Sequence, residues 1–157
     1  MKKSILAVAV AAILISCGPK PAAVSLFNGK DLNGWTAVLE DSTLHPSTEF
    51  TVEDGAISLS GKFGYIRTEI PYADYRLNAE WRWPDSATNS GIFLQDMYEI
   101  QVLDCYNNET YVNGQTGSVY KQTPPLANAM RKPGEWNVYD IIYSAPIFKE
   151  DGTYRVP

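Results

Sequence analysis

The longest alternating stretch of the chain is Asp74-Tyr75-Arg76-Leu77-Asn78-Ala79-Glu80-Trp81-Arg82-Trp83. From Tyr75 onward, apolar or aromatic side chains occupy every second position, and polar or charged side chains lie between them. Because successive side chains of a β-strand point to opposite faces, this pattern predicts a strand in a sheet that is packed on one side. The stretch therefore indicates a β-sheet protein.

Shorter stretches of the same kind lie on both sides of it. Phe50–Val52 and Ala56–Ser60 flank the turn dipeptide Asp54-Gly55, which predicts a hairpin. Further strands are predicted at Val24–Phe27, Tyr65–Thr68 and Trp136–Tyr143. Runs with helical spacing do not exceed a turn or two. The sequence thus predicts an all-β fold of about eight or nine strands, arranged as an antiparallel β-sandwich.

The composition and charge of the chain make some classes of binding partner more plausible than others. The chain has 157 residues and a formal net charge of -5, and its 13 Lys and Arg residues form no cluster. Such an acidic chain is a poor candidate for binding nucleic acid. Its 4 Trp and 10 Tyr residues could present aromatic rings to sugars, although these residue types are also common in strands.

The N-terminus predicts export and lipid anchoring. Lys2-Lys3 precedes an apolar run, Ile5–Ile15, which is too short to cross a bilayer and is typical of a secretory signal. The arrangement Leu-x-Ser-Cys ending at Cys17 resembles a bacterial lipobox, so we expect Cys17 to be lipidated; a plain signal peptide is the alternative. Residues 1–17 are then the signal, 18–23 a tether and 24–157 one domain, held at the bacterial cell envelope through this lipid.

The remaining cysteine, Cys105, has no partner for a disulfide if Cys17 carries lipid. The single histidine of the chain, His45, lies in a turn-like segment and is a poor candidate for activating a thiol. We therefore expect Cys105 to pack as a small apolar side chain.

Two neighbouring strands carry the candidate site. Asn89–Gln95 and Tyr98–Asp104 are mostly apolar but contain polar residues at strand spacing. Glu99 and Gln101 are two positions apart and share one face of the second strand, which places a carboxylate beside an amide. The alternative is an ordinary solvated face of the sheet.

The polar face of the alternating stretch, Asp74–Trp83, has two interpretations. Glu80 and Arg82 could be ordinary solvent-facing charges. If their strand were adjacent to that of Glu99, they could instead extend the candidate site.

A family resemblance rests on six motifs in order. They are Leu26–Trp35 (Leu-Phe-Asn-Gly-Lys-Asp-Leu-Asn-Gly-Trp), Val52–Gly55, Asn89–Ile92, Tyr98–Asp104, Thr116–Tyr120 and Pro133–Asn137. The chain resembles the 3-keto-disaccharide hydrolase family from Leu26 to about Tyr143. This resemblance implies a jelly roll similar to the concanavalin-like lectins and glucanases. Family members continue through further strands, so the resemblance also implies that the C-terminal strands are missing here.

The resemblance implies a substrate whose glycoside has been oxidised to a ketone at carbon 3. The ketone acidifies the proton on carbon 2, and removal of this proton expels the aglycone from carbon 1; water then adds. Our candidates for catalytic residues are Glu99, Asp104 and Glu80, and our candidates for substrate-binding residues are Gln101, Asn89, Ser90, Arg82 and Tyr120. Glu99 and Asp104 could also hold a divalent cation, Ca²⁺ or Mg²⁺.

Two other functions compete with this one. Tyr98–Asp104 superficially resembles the catalytic strand of laminarinase-type retaining glucanases, whose two carboxyl groups lie about 5 to 5.5 Å apart. Glu99 and Asp104 are separated by an odd number of positions and would face opposite sides unless a bulge intervenes. The third alternative is a lectin-like module that binds carbohydrate without turnover.

Overall fold

The computed structural model describes residues 22–39, 49–59, 64–83, 89–107 and 110–156. Within them, almost all of the regular secondary structure is β-strand. The strands are β1 (Trp35–Val38), β2 (Phe50–Glu53), β3 (Ala56–Leu59), β4 (Tyr65–Thr68), β5 (Tyr75–Trp81), β6 (Asn89–Leu94), β7 (Tyr98–Leu103), β8 (Asn137–Tyr143), β9 (Ile147–Phe148) and β10 (Tyr154–Val156). A single 3₁₀ turn, Val112–Gly114, interrupts this pattern among the described elements.

The strands pair in antiparallel ladders: β1 with β4, β2 with β3, β5 with β8, β6 with β7 and β9 with β10. The prediction of an all-β, antiparallel sandwich is therefore confirmed. The β2–β3 hairpin turns at Asp54 and Gly55, whose φ angles of 51° and 76° are those of the turn type that matches strand twist.

The alternating stretch forms β5, which pairs along its whole length with β8. Its inner face is aromatic: the rings of Tyr75 and Tyr143 stack at 5.2 Å, and those of Trp81 and Tyr139 lie 5.5 Å apart. The Tyr139 hydroxyl donates to the backbone oxygen of Gln101 at 2.5 Å. This inner face therefore packs toward β7.

One predicted strand is absent. Val24–Phe27 forms no ladder, and two of its backbone carbonyls accept hydrogen bonds from side chains instead. The Ser25 hydroxyl donates to the Phe27 carbonyl at 2.6 Å, and the indole N–H of Trp35 donates to the Leu26 carbonyl at 2.8 Å. The segment is therefore fixed to the sandwich by the ring of Trp35 instead of by backbone pairing.

Cys105 packs as predicted, as a buried free cysteine. Its thiol lies 3.3 Å from Oδ1 of Asn128, and its backbone N–H donates to the sulfur of Met130 at 3.2 Å. Cys17 and His45 lie outside the described residues, so lipid attachment remains a prediction. In the described part of the chain, no helix has the length and hydropathy needed to cross a bilayer.

Candidate functional site

The β6–β7 ladder places the predicted polar residues in register. Glu99 lies opposite Phe93, Gln101 opposite Gly91, and Leu103 opposite Asn89. Because alternate residues share a face, Glu99, Gln101 and Asn89 lie on one side of this ladder. We call this side the Glu99 face.

Glu99 lies across the backbone of Gly91. A Cβ atom at residue 91 would fall 2.8 Å from Cδ of Glu99 and closer still to its Oε1. Only a glycine at this position leaves room for the carboxylate where it now lies, which gives a physical reason for the glycine of the Asn-Ser-Gly motif. The Glu99 side chain is half-buried, and desolvation raises the pKa of its carboxyl group above the ordinary value.

The segment after the 3₁₀ turn extends this ladder on the β7 side. A bridge between Ile100 and Val119 sets the register, with Tyr120 N–H donating to the Glu99 carbonyl at 2.9 Å and Gln101 N–H donating to the Ser118 carbonyl at 3.0 Å. Tyr120 is therefore the cross-strand neighbour of Glu99, and Ser118 that of Gln101.

Gln101 is a buried amide, 1% exposed, beneath the surface of the site. Its Nε2 donates to Oδ1 of Asn89 at 2.8 Å, which holds the Asn89 side chain on the Glu99 face. Its Oε1 and the hydroxyl of its neighbour Ser118 are buried without a hydrogen-bond partner among the described residues. The amide thus positions Asn89 and leaves one acceptor unused.

Two phenols lie beside the carboxylate. Tyr111 and Tyr120 hydrogen-bond through their side chains, and the charge of Glu99 acts on both. This interaction raises the pKa of Tyr111 and lowers that of Tyr120. Lys121 Nζ lies 5.1 Å from the centroid of the Tyr120 ring. Tyr120 was predicted from the sequence, whereas Tyr111 and Lys121 were not.

The position of Tyr111 depends on the 3₁₀ turn. Its ring packs over Gly114, where an added Cβ would lie 2.5 Å from the phenol oxygen. The carbonyl of Tyr111 accepts the Gly114 N–H at 3.0 Å, and that of Asn113 accepts the Lys121 N–H at 2.8 Å. The Tyr-x-x-Gly spacing is the sequence signal that could have pointed to Tyr111.

Other predicted residues lie away from the Glu99 face. Ser90 lies opposite Val102, on the other side of the ladder. Asp104 follows the end of β7, and its Oδ1 accepts the Tyr106 N–H at 3.2 Å in a local turn. The register has no bulge up to Leu103 that would turn Asp104 toward Glu99.

Glu80 and Arg82, which were predicted to extend the site if their strand were adjacent, also lie elsewhere. β5 pairs with β8, which puts Glu80 opposite Val138 with its side chain exposed. Arg82 is exposed as well, and its guanidinium carbon lies 4.9 Å from the centroid of the Trp136 ring. Glu80 lies on the face of β5 opposite to Ala79, the cross-strand neighbour of Tyr139. The structure therefore does not bring Glu80 and Arg82 together with Glu99.

A cation site is not evident in the described part of the chain. No group of at least 3 His, Cys, Asp or Glu side chains converges there. With Asp104 away from the Glu99 face, the donor set expected for Ca²⁺ or Mg²⁺ is not assembled by these residues.

Comparisons with known proteins agree with this architecture. Residues 22–149 match the family model of the 3-keto-alpha-glucoside-1,2-lyase-like domain. A crystal structure of a "putative glycosyl hydrolase" from Parabacteroides distasonis is similar with a TM-score of 0.72 and 56% identity, over 85% of this chain and 57% of that one. No curated protein matches the chain significantly.

A second crystal structure with the same description and organism has a TM-score of 0.59 and 24% identity, over 76% of this chain and 63% of that one. This second likeness concerns the fold alone. The chain thus spans less than two thirds of the length of either relative. From the family match, the chain belongs to the 3-keto-alpha-glucoside-1,2-lyase-like domain family.

Proposed function

We propose that the protein cleaves 3-keto glycosides by removing the proton from carbon 2 of the oxidised sugar. The observation that carries the proposal is the Glu99 carboxylate, desolvated over Gly91 and adjacent to two phenols. A carboxylate with a raised pKa is a stronger base than one in water, which suits proton abstraction. The family and the glycosyl hydrolase description of the relative support a hydrolase-type reaction.

The ketone at carbon 3 makes the carbon 2 proton acidic enough for a carboxylate to remove. Removal of the carbon 2 proton gives an enolate, whose electron pair then expels the aglycone oxygen from carbon 1. Phe93 lies directly opposite Glu99 and is 50% exposed, so it offers an aromatic surface for the sugar ring. Asn89, held by Gln101, supplies a hydrogen-bonding group on the same face.

We also place this activity at the bacterial cell envelope, with the chain held by lipid on Cys17. The proposal is supported by the Lys2-Lys3 start, the apolar run Ile5–Ile15 and the Leu-x-Ser-Cys arrangement.

A comparison of two substrates tests the reaction. The protein is incubated with a 3-keto disaccharide and, separately, with the unoxidised parent disaccharide. We expect cleavage of the keto sugar alone, because the carbon 2 proton of the parent is not acidic. Cleavage of the parent would favour a retaining glycosidase, and binding of either sugar without turnover would favour a lectin-like module.

A further inference from the structure

Two side chains lie against the Tyr120 phenol. Tyr111 and Lys121 each interact with it through their side chains, and Lys121 Nζ lies 5.1 Å from the centroid of the Tyr120 ring. Both neighbours favour the phenolate over the neutral phenol, because each can donate a hydrogen bond to the charged oxygen.

Glu99 affects the same phenol in the opposite direction. Its negative charge raises the pKa of Tyr120, against the two neighbours that lower it. When Glu99 accepts a proton from the substrate, its charge disappears and this repulsion ends. Tyr120 therefore becomes a stronger acid at the moment when Glu99 has completed its own step.

The elimination needs an acid at that moment. The aglycone of a disaccharide leaves as a sugar alkoxide, which is a poor leaving group unless it is protonated. Tyr120 lies directly across the strand pair from Glu99, so both side chains can reach one sugar ring bound on this face. Resting on the proposed function above, we propose that Tyr120 is the catalytic acid that protonates the departing aglycone oxygen, and that Tyr111 is its positioning residue.

Protons and electron pairs balance over one turnover. Glu99 takes the carbon 2 proton, the C–H electron pair forms the enolate, and the C1–O bond breaks while the aglycone oxygen takes the proton of Tyr120. Water then adds its hydroxyl group to carbon 1 and gives its proton to the Tyr120 phenolate. The proton on Glu99 exchanges with solvent water, carbon 2 then takes a proton from Glu99, and both residues return to their initial states.

The test compares two leaving groups. Tyr120→Phe is assayed on a 3-keto disaccharide and on a 3-keto nitrophenyl glucoside, whose nitrophenolate needs no proton to leave. We expect kcat to fall by about 10²- to 10⁴-fold on the disaccharide and by less than about 10-fold on the nitrophenyl substrate. Tyr106→Phe, which alters an exposed tyrosine outside this pair, is the matched control and is expected to leave both rates unchanged.

Tyr111→Phe tests the positioning role through the pH profile. An acid works while protonated, so activity falls as the pH rises through the pKa of Tyr120. Removing the Tyr111 hydroxyl takes away one of the groups that lower this pKa, so the alkaline limb should move to higher pH. An unmoved limb would contradict the role of Tyr111, because loss of a purely structural contact would lower the rate at all pH values alike.

The outcomes separate this inference from the proposed function. Equal losses on both leaving groups, or full activity of Tyr120→Phe, would overturn the acid role while leaving keto-sugar cleavage intact. A wild-type protein that cleaves neither keto substrate would overturn the proposed function and this inference together.

Discussion

Replacement of Glu99 by Gln should lower kcat on a 3-keto disaccharide by about 10²- to 10⁴-fold, the usual contribution of a general base. The amide keeps the size and shape of the side chain over Gly91 but cannot accept the carbon 2 proton. Substrate binding should therefore survive while turnover is lost. Steady-state kinetics together with a binding measurement on the variant would check this split between kcat and affinity.

The pH dependence of wild-type activity provides a second test of Glu99 as the general base. Glu99 must be ionised to act, and desolvation raises its pKa, so activity should fall with decreasing pH already above the ordinary carboxyl range. Glu135→Gln, which removes an exposed carboxylate paired with Lys132 at 3.4 Å, is the matched control. If Glu99→Gln retained wild-type turnover, Glu99 would not be the base.

Gly91→Ala should have the second largest effect on activity. The added methyl group would occupy the space now filled by the Glu99 carboxylate and would displace that side chain from its place over the β6 backbone. A displacement of about 1 Å in a catalytic group can lower the rate by about 10²-fold. We expect a loss of this size in kcat/KM on the 3-keto disaccharide.

Thermal unfolding of Gly91→Ala distinguishes displacement from misfolding. Gly91 lies within a regular antiparallel ladder, where an alanine backbone is not strained, so the variant should fold. A folded variant with wild-type activity would show that Glu99 need not lie across residue 91.

The fold was predictable in segments where apolar and polar side chains alternate regularly. The alternation in Tyr75–Trp81 and the Asp54-Gly55 turn both predicted elements that the structure contains. Val24–Phe27 has strand-like residues, but hydrogen bonds from Ser25 and Trp35 use two of its carbonyls. That competition depends on a tertiary contact, which local propensity does not reveal.

The site was predictable only within a strand. A period of two residues put Glu99 and Gln101 on one face, and the Ile100–Val119 bridge shows that Tyr120, already a candidate from the sequence, is the cross-strand neighbour of Glu99. Tyr111 reaches the same place through a 3₁₀ turn and a ring packed over Gly114, so no strand period leads to it.

The placement of Glu80 also depended on strand order. Alternation showed that Glu80 was on a polar face, but it could not show which strand lies beside β5. The neighbour is β8, whose Val138 lies opposite Glu80. Pairing between distant segments is therefore the information that the sequence pattern did not contain.

The most direct test of the central claim is the fate of the hydrogen at carbon 2. The wild-type protein is incubated with a 3-keto disaccharide in deuterated water, and the released 3-keto sugar is examined by NMR against a sample without protein. Proton abstraction by Glu99 predicts deuterium at carbon 2 of the product above the level of spontaneous exchange. Cleavage that leaves the original hydrogen at carbon 2 would contradict it.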